Sequence, residues 1–143
     1  PDLPINKELG NLAVDIFDSL KLPDVDGCPL MRDAAPDWVR DIVRAIFGAY
    51  DVKTKIRHIQ ELFILIPKKN GKSSFAAAIM IVAILLNQRP LAELLLIAPT
   101  IEVAKIAFKQ ARGIIKADPK LEVKFHIQDH LRQITYIPKG ALL

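Results

Sequence analysis

The stretch LFILIPKKNGKSSFAA, residues 62–77, constrains this chain more than any other. A short apolar run without alternation ends at Pro67. Gly-Lys-Ser then opens a second run, FAAAIMIVAILL (75–86), that is apolar nearly all round. The first run suits a strand buried on both faces, the second a helix covered on most sides. Pro67 ends the strand and stiffens the start of the loop. Strand, turn and helix in this order bring the turn to the carboxyl edge of a sheet, where open α/β folds bind ligands. The helix then points its free N–H groups and positive end at an anion.

The phosphate-loop pattern is G-x-x-x-x-G-K-[ST]. Counting back from Gly71 puts its first glycine at Ile66, so the strict pattern fails while its second half survives in context. In that pattern Gly71 lets the backbone curl close to the phosphates. Lys72 reaches the β and γ phosphates, and Ser73 offers its hydroxyl to Mg²⁺. Lys68 and Lys69 crowd two further cations beside Lys72, and these repel one another unless an anion neutralises them. One of them is available to meet a γ phosphate from within the chain, as an arginine finger does. The competing reading is a basic turn in a protein with another ligand.

AELLLIAPT (92–100) reads as a second buried strand, Leu94 to Ala98, stopped by Pro99. TIEVAKIAFKQARGIIKAD reads as a helix capped by Thr100, with Val103, Ala107, Ala111 and Ile114 as its apolar stripe. Strand, helix, strand, helix at this spacing is the βαβ signature of a mostly parallel sheet. The expected fold class is therefore α/β, P-loop NTPase-like, with flanking helices and an incomplete sheet. Upstream, APDWVRDIVRAIFGAYD predicts a helix started by Pro36 and stopped by Gly48. Trp38, Ile42, Ile46, Val39, Val43 and Phe47 recur at helical spacing, and Arg40, Asp41 and Arg44 fall on a solvated face. Taken alone, Trp38 reads as core. Residues 1–30 read as a peripheral segment: a short amphipathic helix weakened by Gly10, the turn-rich KLPDVDGCPL, and scattered, solvated acids. The tail alternates in LEVKFHIQ, with Val123, Phe125 and Ile127 on one side, and again in RQITYIP, which predicts an antiparallel pair turning at DHL.

Charge is unevenly spread. Residues 1–61 hold 8 Lys/Arg against 11 Asp/Glu, whereas residues 62–143 hold 12 against 5. The positive field thus surrounds and follows the GKS stretch, which suits a phosphate-rich partner. Lys105, Lys109, Arg112 and Lys116 share one helix face, either solvated or turned to DNA or a neighbouring subunit. Cys28 is the only cysteine, so no internal disulfide forms and a reducing, intracellular compartment fits. His58, His126 and His130 show no metal-ligand spacing. The longest apolar run is too short to span a bilayer, so no membrane partner is expected.

The ordered features together resemble the large terminase subunit of tailed bacteriophages and their prophages, in the N-terminal part of its ATPase domain. Its phosphate loop often reads Pro, a basic pair, Asn, Gly-Lys-Ser or Thr, as PKKNGKSS does here from Pro67 to Ser74. The resemblance makes Pro67, Lys69, Asn70, Gly71, Lys72, Ser73 and Ser74 nucleotide-binding, with Ser73 on the metal and Lys72 catalytic. Lys68 stands where the family usually has an arginine acting on the γ phosphate, and a lysine lacks that residue's fork. APDWVRDIVRAIFG resembles a family helix with Trp-Gln that helps hold adenine; Trp38 matches and Val39 replaces the glutamine. LLLIAPTIEVAKIAFKQA resembles the next family segment, a strand ending in Ala-Pro-Thr that leads into a helix.

The resemblance implies that residues 1–143 are the N-terminal part of a P-loop ATPase domain, with residues 31–143 forming a nucleotide-binding βαβ region plus a strand pair. It implies ATP and Mg²⁺ as cofactors, and ATP-driven translocation of double-stranded DNA into a capsid in the host cell cytoplasm. The implied partners are double-stranded DNA, a portal protein, a small terminase subunit and copies of the same chain in a ring. Hydrolysis in this class needs a strand ending in Asp-Glu, and no such pair occurs here; nor does the family's acid-rich nuclease domain. The chain is accordingly expected to bind nucleotide without completing catalysis by itself. The rival readings are a helicase-like protein or other P-loop NTPase, and a non-enzymatic basic nucleic-acid-binding module. Nucleotide kinases usually keep the first glycine, so Ile66 argues against them.

Overall fold

The computed structural model describes residues 3–67 and 69–143. Helix α1 (Lys7–Ser19) is capped by Asn6, whose side chain accepts from the Leu9 N–H at 3.0 Å. A four-residue helix α2 (Met31–Ala34) leads through Pro36 into α3 (Asp37–Gly48). A small hairpin follows, with β1 (Tyr50–Asp51) antiparallel to β2 (Ile56–Arg57). Helix α4 (Lys72–Leu86) starts at the GKS turn, and α5 (Ile101–Lys116) is capped by Thr100 Oγ1, which accepts from the Val103 N–H. After a short α6 (Pro119–Glu122), three antiparallel strands close the chain: β3 (Phe125–Gln128), β4 (Gln133–Tyr136) and β5 (Ala141–Leu142).

The core follows the helical periodicities. Val39, Val43 and Phe47 bury one face of α3; Ala77, Ala78, Ile81, Val82 and Ile84 bury most of α4; Ala111, Ile114 and Ile115 anchor α5. Residues 1–30, read above as a peripheral segment, supply Ala13, Val14, Phe17 and Leu20 to this same cluster. Helices α1 and α3 approach closely because both carry glycine at their crossing. A Cβ at Gly48 would lie 2.8 Å from Ile5 Cγ2 and 3.4 Å from the Gly10 Cα. A Cβ at Gly10 would lie 3.0 Å from the Arg44 carbonyl oxygen, so Gly10, which costs helix propensity, permits an approach that a side chain would push apart. Gly48 serves the same contact instead of stopping α3: it stays helical, and the cap is Ala49, whose N–H donates to the Ala45 carbonyl.

Arg40 corrects the expected solvated face of α3. Its Nε donates to Asp18 at 2.8 Å, with both side chains only 14% exposed. Its Nη atoms donate to Asp37, to the Ala35 and Met31 carbonyls, and to the Arg32 carbonyl. The planar fork of arginine binds carbonyls of α2 and its C-cap while pairing with α1. Asp18 is correspondingly not a solvated acid.

Neither expected buried strand forms: residues 62–66 pair with no strand, the second segment pairs only through a single bridge at Glu93, and neither segment is covered. Phe63 and Leu65 are 88% and 86% exposed, and Leu95 and Ile97 75% and 86%. The correction has a simple cause: burial on both faces needs two layers, and no layer covers these side chains among the described residues. The second segment does begin a sheet. Leu94 N–H donates to the Leu142 carbonyl and Leu142 N–H to the Ala92 carbonyl, a parallel bridge at Glu93 and Leu142 that adds residues 92–94 to β5. The tail pairs Phe125 with Tyr136 and Ile127 with Ile134. Val123, placed by alternation on one side with Phe125 and Ile127, instead sits at the C-terminus of α6 and is 75% exposed. On α5, Val103 is 48% exposed, so the buried stripe starts only at Ala107.

No helix among the described residues is long and apolar enough to cross a membrane.

Candidate functional site

The site is built at the junction between the apolar segment ending at Pro67 and the head of α4. Gly71 is the N-cap of α4 and takes the left-handed conformation, with φ +70°. Lys69 is also left-handed at φ +67°. The chain thereby curls through residues 69–71, as a loop that turns its N–H groups toward a bound anion must. Asn70 braces the curl, its side-chain amide donating to the Pro67 carbonyl at 3.3 Å. Lys72 is exposed, and its Nζ donates to the Ile66 carbonyl at 2.7 Å, across the mouth of the same loop.

An open cleft of about 440 Å³ adjoins the loop, lined by Pro36, Trp38, Ile66, Pro67, Asn70 and Phe75. That volume is in the range of small-molecule sites. Trp38 is 39% exposed, so it is a wall of this cleft and not a core residue. Its ring meets Phe75 edge-on, with centroids 6.1 Å apart and planes at 89°. Arg40, two residues on, fixes the start of α3 and hence the base of Trp38.

Among the sequence-predicted residues, Trp38, Pro67 and Asn70 line one cleft, and Gly71 and Lys72, which follow Asn70 in the chain, are exposed. Ser73 is half-buried at the first turn of α4. Ser74 is only 6% exposed, and its hydroxyl donates to Asp24 at 3.5 Å. Lys68 lies outside the described residues.

Three residues escaped the sequence reading. Phe75 is the floor of the Gly71 turn: a Cβ on Gly71 would lie 2.9 Å from Phe75 Cε2. Its signal was its position four residues after the glycine, one helical turn on. Pro36 lines the cleft through the α2–α3 turn. Asp24, assigned to a solvated loop, accepts from both Ser74 and Gln110; partners that far away in sequence leave no local trace. The basic face of α5 is partly neutralised within the chain, Lys105 pairing with Glu102 at 3.5 Å and Arg112 with Asp129 at 2.9 Å.

Gly71→Ala tests the turn. A left-handed alanine costs about 1–2 kcal/mol, and its methyl must displace Phe75 from Trp38. The expected result is a thermal midpoint several degrees lower, together with changed Trp38 fluorescence. An unchanged midpoint and spectrum would show that the turn relaxes freely.

These elements define an α/β protein of the phosphate-loop class. The family model "Terminase large subunit, ATPase domain" matches residues 37–136. The chain belongs to that family. Among solved structures it is similar to the large terminase of HK97 bacteriophage, with a TM-score of 0.77 over 93% of this chain at 19% identity. The chain spans 26% of the length of that structure's chain. Among curated proteins, none matches significantly. The fold is thus the α/β, P-loop type, with small sheets in the described residues, and the family is one of nucleotide-using ATPase domains.

Proposed function

We propose that this chain is the nucleotide-binding part of the ATPase motor of a viral DNA-packaging terminase. The supporting observation is the left-handed Gly71 turn at the head of α4, opening onto a cleft walled by Trp38. The adenine of ATP occupies the cleft against Trp38 and Phe75, where a flat aromatic base gains from stacking and apolar contact. The phosphates lie over residues 69–73, met by backbone N–H groups and by Lys72. Pro67 and Asn70 shape the loop, and Ser74 secures its helical end.

The residues present fit a magnesium nucleotide. Ser73 offers a single hard oxygen, and Mg²⁺ typically takes its remaining ligands from phosphates and water. Among the described residues no three His, Cys, Asp or Glu side chains converge on a metal site, so the ion would arrive with the nucleotide. When bound it neutralises phosphate charge. Lys68 serves as the internal finger on the γ phosphate. In the complete protein, hydrolysis drives double-stranded DNA into a capsid, in the host cytoplasm, with a portal protein, a small subunit and a ring of copies as partners.

Trp38 is the only tryptophan, so its emission reports directly on the cleft. Titration with a non-hydrolysable ATP analogue and Mg²⁺ is expected to change Trp38 fluorescence saturably, with a matching calorimetric isotherm. Calorimetric binding without a fluorescence change would move the base away from Trp38. No binding by either method would favour a basic nucleic-acid-binding module.

A further inference from the structure

Residues 21–30 form a pinned loop. Lys21 and Leu30 make an antiparallel bridge, and the Leu22 N–H donates to the Pro29 carbonyl at 2.8 Å. At its base the Met31 N–H donates to the Leu20 carbonyl at 2.7 Å. On its outer side Pro23 is seated against Gly113 of α5, where a Cβ would come within 2.7 Å of the proline ring. The chain is thus fixed on both sides of Asp24. One oxygen, Oδ2, accepts from Gln110 Nε2 of α5 at 3.0 Å and from Ser74 Oγ of α4 at 3.5 Å.

Ser74 is the one buried polar residue among the described residues. A buried serine in a helix commonly turns its hydroxyl back to a carbonyl of the preceding turn, which tends to bend the helix. Asp24 offers it an acceptor outside the helix instead, and a carboxylate beside a helix N-terminus is favourable in its own right. Ser73 precedes Ser74 in the same helical turn, so fixing the rotation of one about the helix axis fixes the direction of the other.

We infer that Asp24 is a positioning residue: through Ser74 it sets the orientation of the first turn of α4, and hence of the Ser73 hydroxyl toward a magnesium nucleotide. This rests on the nucleotide-binding reading above. Asp24 touches neither nucleotide nor metal. Its effect therefore falls mainly on the part of the affinity that depends on Mg²⁺, whereas loss of a merely structural tie lowers stability and all binding alike.

The test measures affinity of the full chain for a non-hydrolysable ATP analogue, with Mg²⁺ and with EDTA, alongside the thermal midpoint. In wild type, Mg²⁺ is expected to tighten binding. In D24A that tightening should shrink about fivefold, the effect of one lost hydrogen bond, while affinity in EDTA stays within about twofold. D24N keeps an acceptor oxygen and should retain most of the tightening. S74A should show the same smaller Mg²⁺ increment as D24A, and the double variant should lose no more of that increment than either single one, since both break the same link. If D24A fails to fold, D24N and S74A carry the comparison. An unchanged Mg²⁺ increment in D24A or S74A overturns the assignment. So does a proportional loss with and without Mg²⁺ that follows a fall in the midpoint. Wild-type chain that binds no nucleotide removes the underlying reading and the assignment together; binding with an unaltered increment removes the assignment alone.

Discussion

Replacing Lys72 with alanine is expected to weaken binding of a magnesium ATP analogue by about 100-fold or more, while the thermal midpoint stays near that of wild type. The two halves of this expectation have separate causes. Lys72 is exposed, and its one hydrogen bond goes to the Ile66 carbonyl at 2.7 Å. That carbonyl lies at the surface of the loop, so water replaces the ammonium at a cost of about 0.5 kcal/mol or less. In the bound state the same ammonium would meet phosphate oxygens. Charge-assisted hydrogen bonds contribute about 1.5–3 kcal/mol each, so two of them correspond to roughly two orders of magnitude in affinity. Binding requires Lys72 to leave Ile66, which costs little because one carbonyl is exchanged for a more strongly charged acceptor. Calorimetry and a thermal melt on the same K72A preparation check both halves. Wild-type affinity in K72A removes this loop from the nucleotide site, and a large fall in the midpoint would make any loss of binding secondary to unfolding.

What the sequence disclosed depended on the range of the interaction. Helices α3, α4 and α5 were legible because their apolar spacing is a local pattern; Thr100 was legible as a cap because capping is settled within three residues. The loop was legible for the same reason, since its glycine, lysine and serine are consecutive. Phe75 was one turn beyond the motif and went unread. Arg40 was misplaced on a solvated face because its partner Asp18 lies 22 residues away. Asp24 was placed in solvent because its partners lie 50 and 86 residues away. No periodicity signals such pairs; only the crossing of α1 with α3, and of the 21–30 loop with α4 and α5, creates them. The two apolar segments show the reverse limit. Their composition, FILI and LLLI, records burial on two faces, and the described residues supply no layer over Phe63, Leu65, Leu95 and Ile97. Composition therefore spoke of surroundings that the described residues do not form.

Lys68→Ala is expected to lower the ATP turnover of the complete protein by about 100-fold or more, with a much smaller loss of ATP affinity. Lys68 and Lys69 are adjacent in the loop sequence. Lys69 is exposed and held in the left-handed conformation at φ +67°, where it adds positive potential to the loop. In the proposed reading, Lys68 is the residue that acts on the γ phosphate. Charge on the transferring group and its leaving oxygen is redistributed as the bond breaks, so a cation aimed there binds the transition state more strongly than the ground state. Its removal therefore appears in kcat. A lysine that contributes only general potential acts equally on both states and on Kd, and that effect shrinks as salt rises. K68A and K69A, measured for turnover and affinity at two ionic strengths, separate the roles. The expected pattern is a salt-insensitive fall in kcat for K68A and a modest, salt-sensitive rise in Kd for K69A. Lys68→Arg should retain or raise turnover, because the guanidinium fork matches phosphoryl oxygens better than an ammonium does. Equal behaviour of K68A and K69A would end the finger assignment and leave both residues as parts of one diffuse positive field.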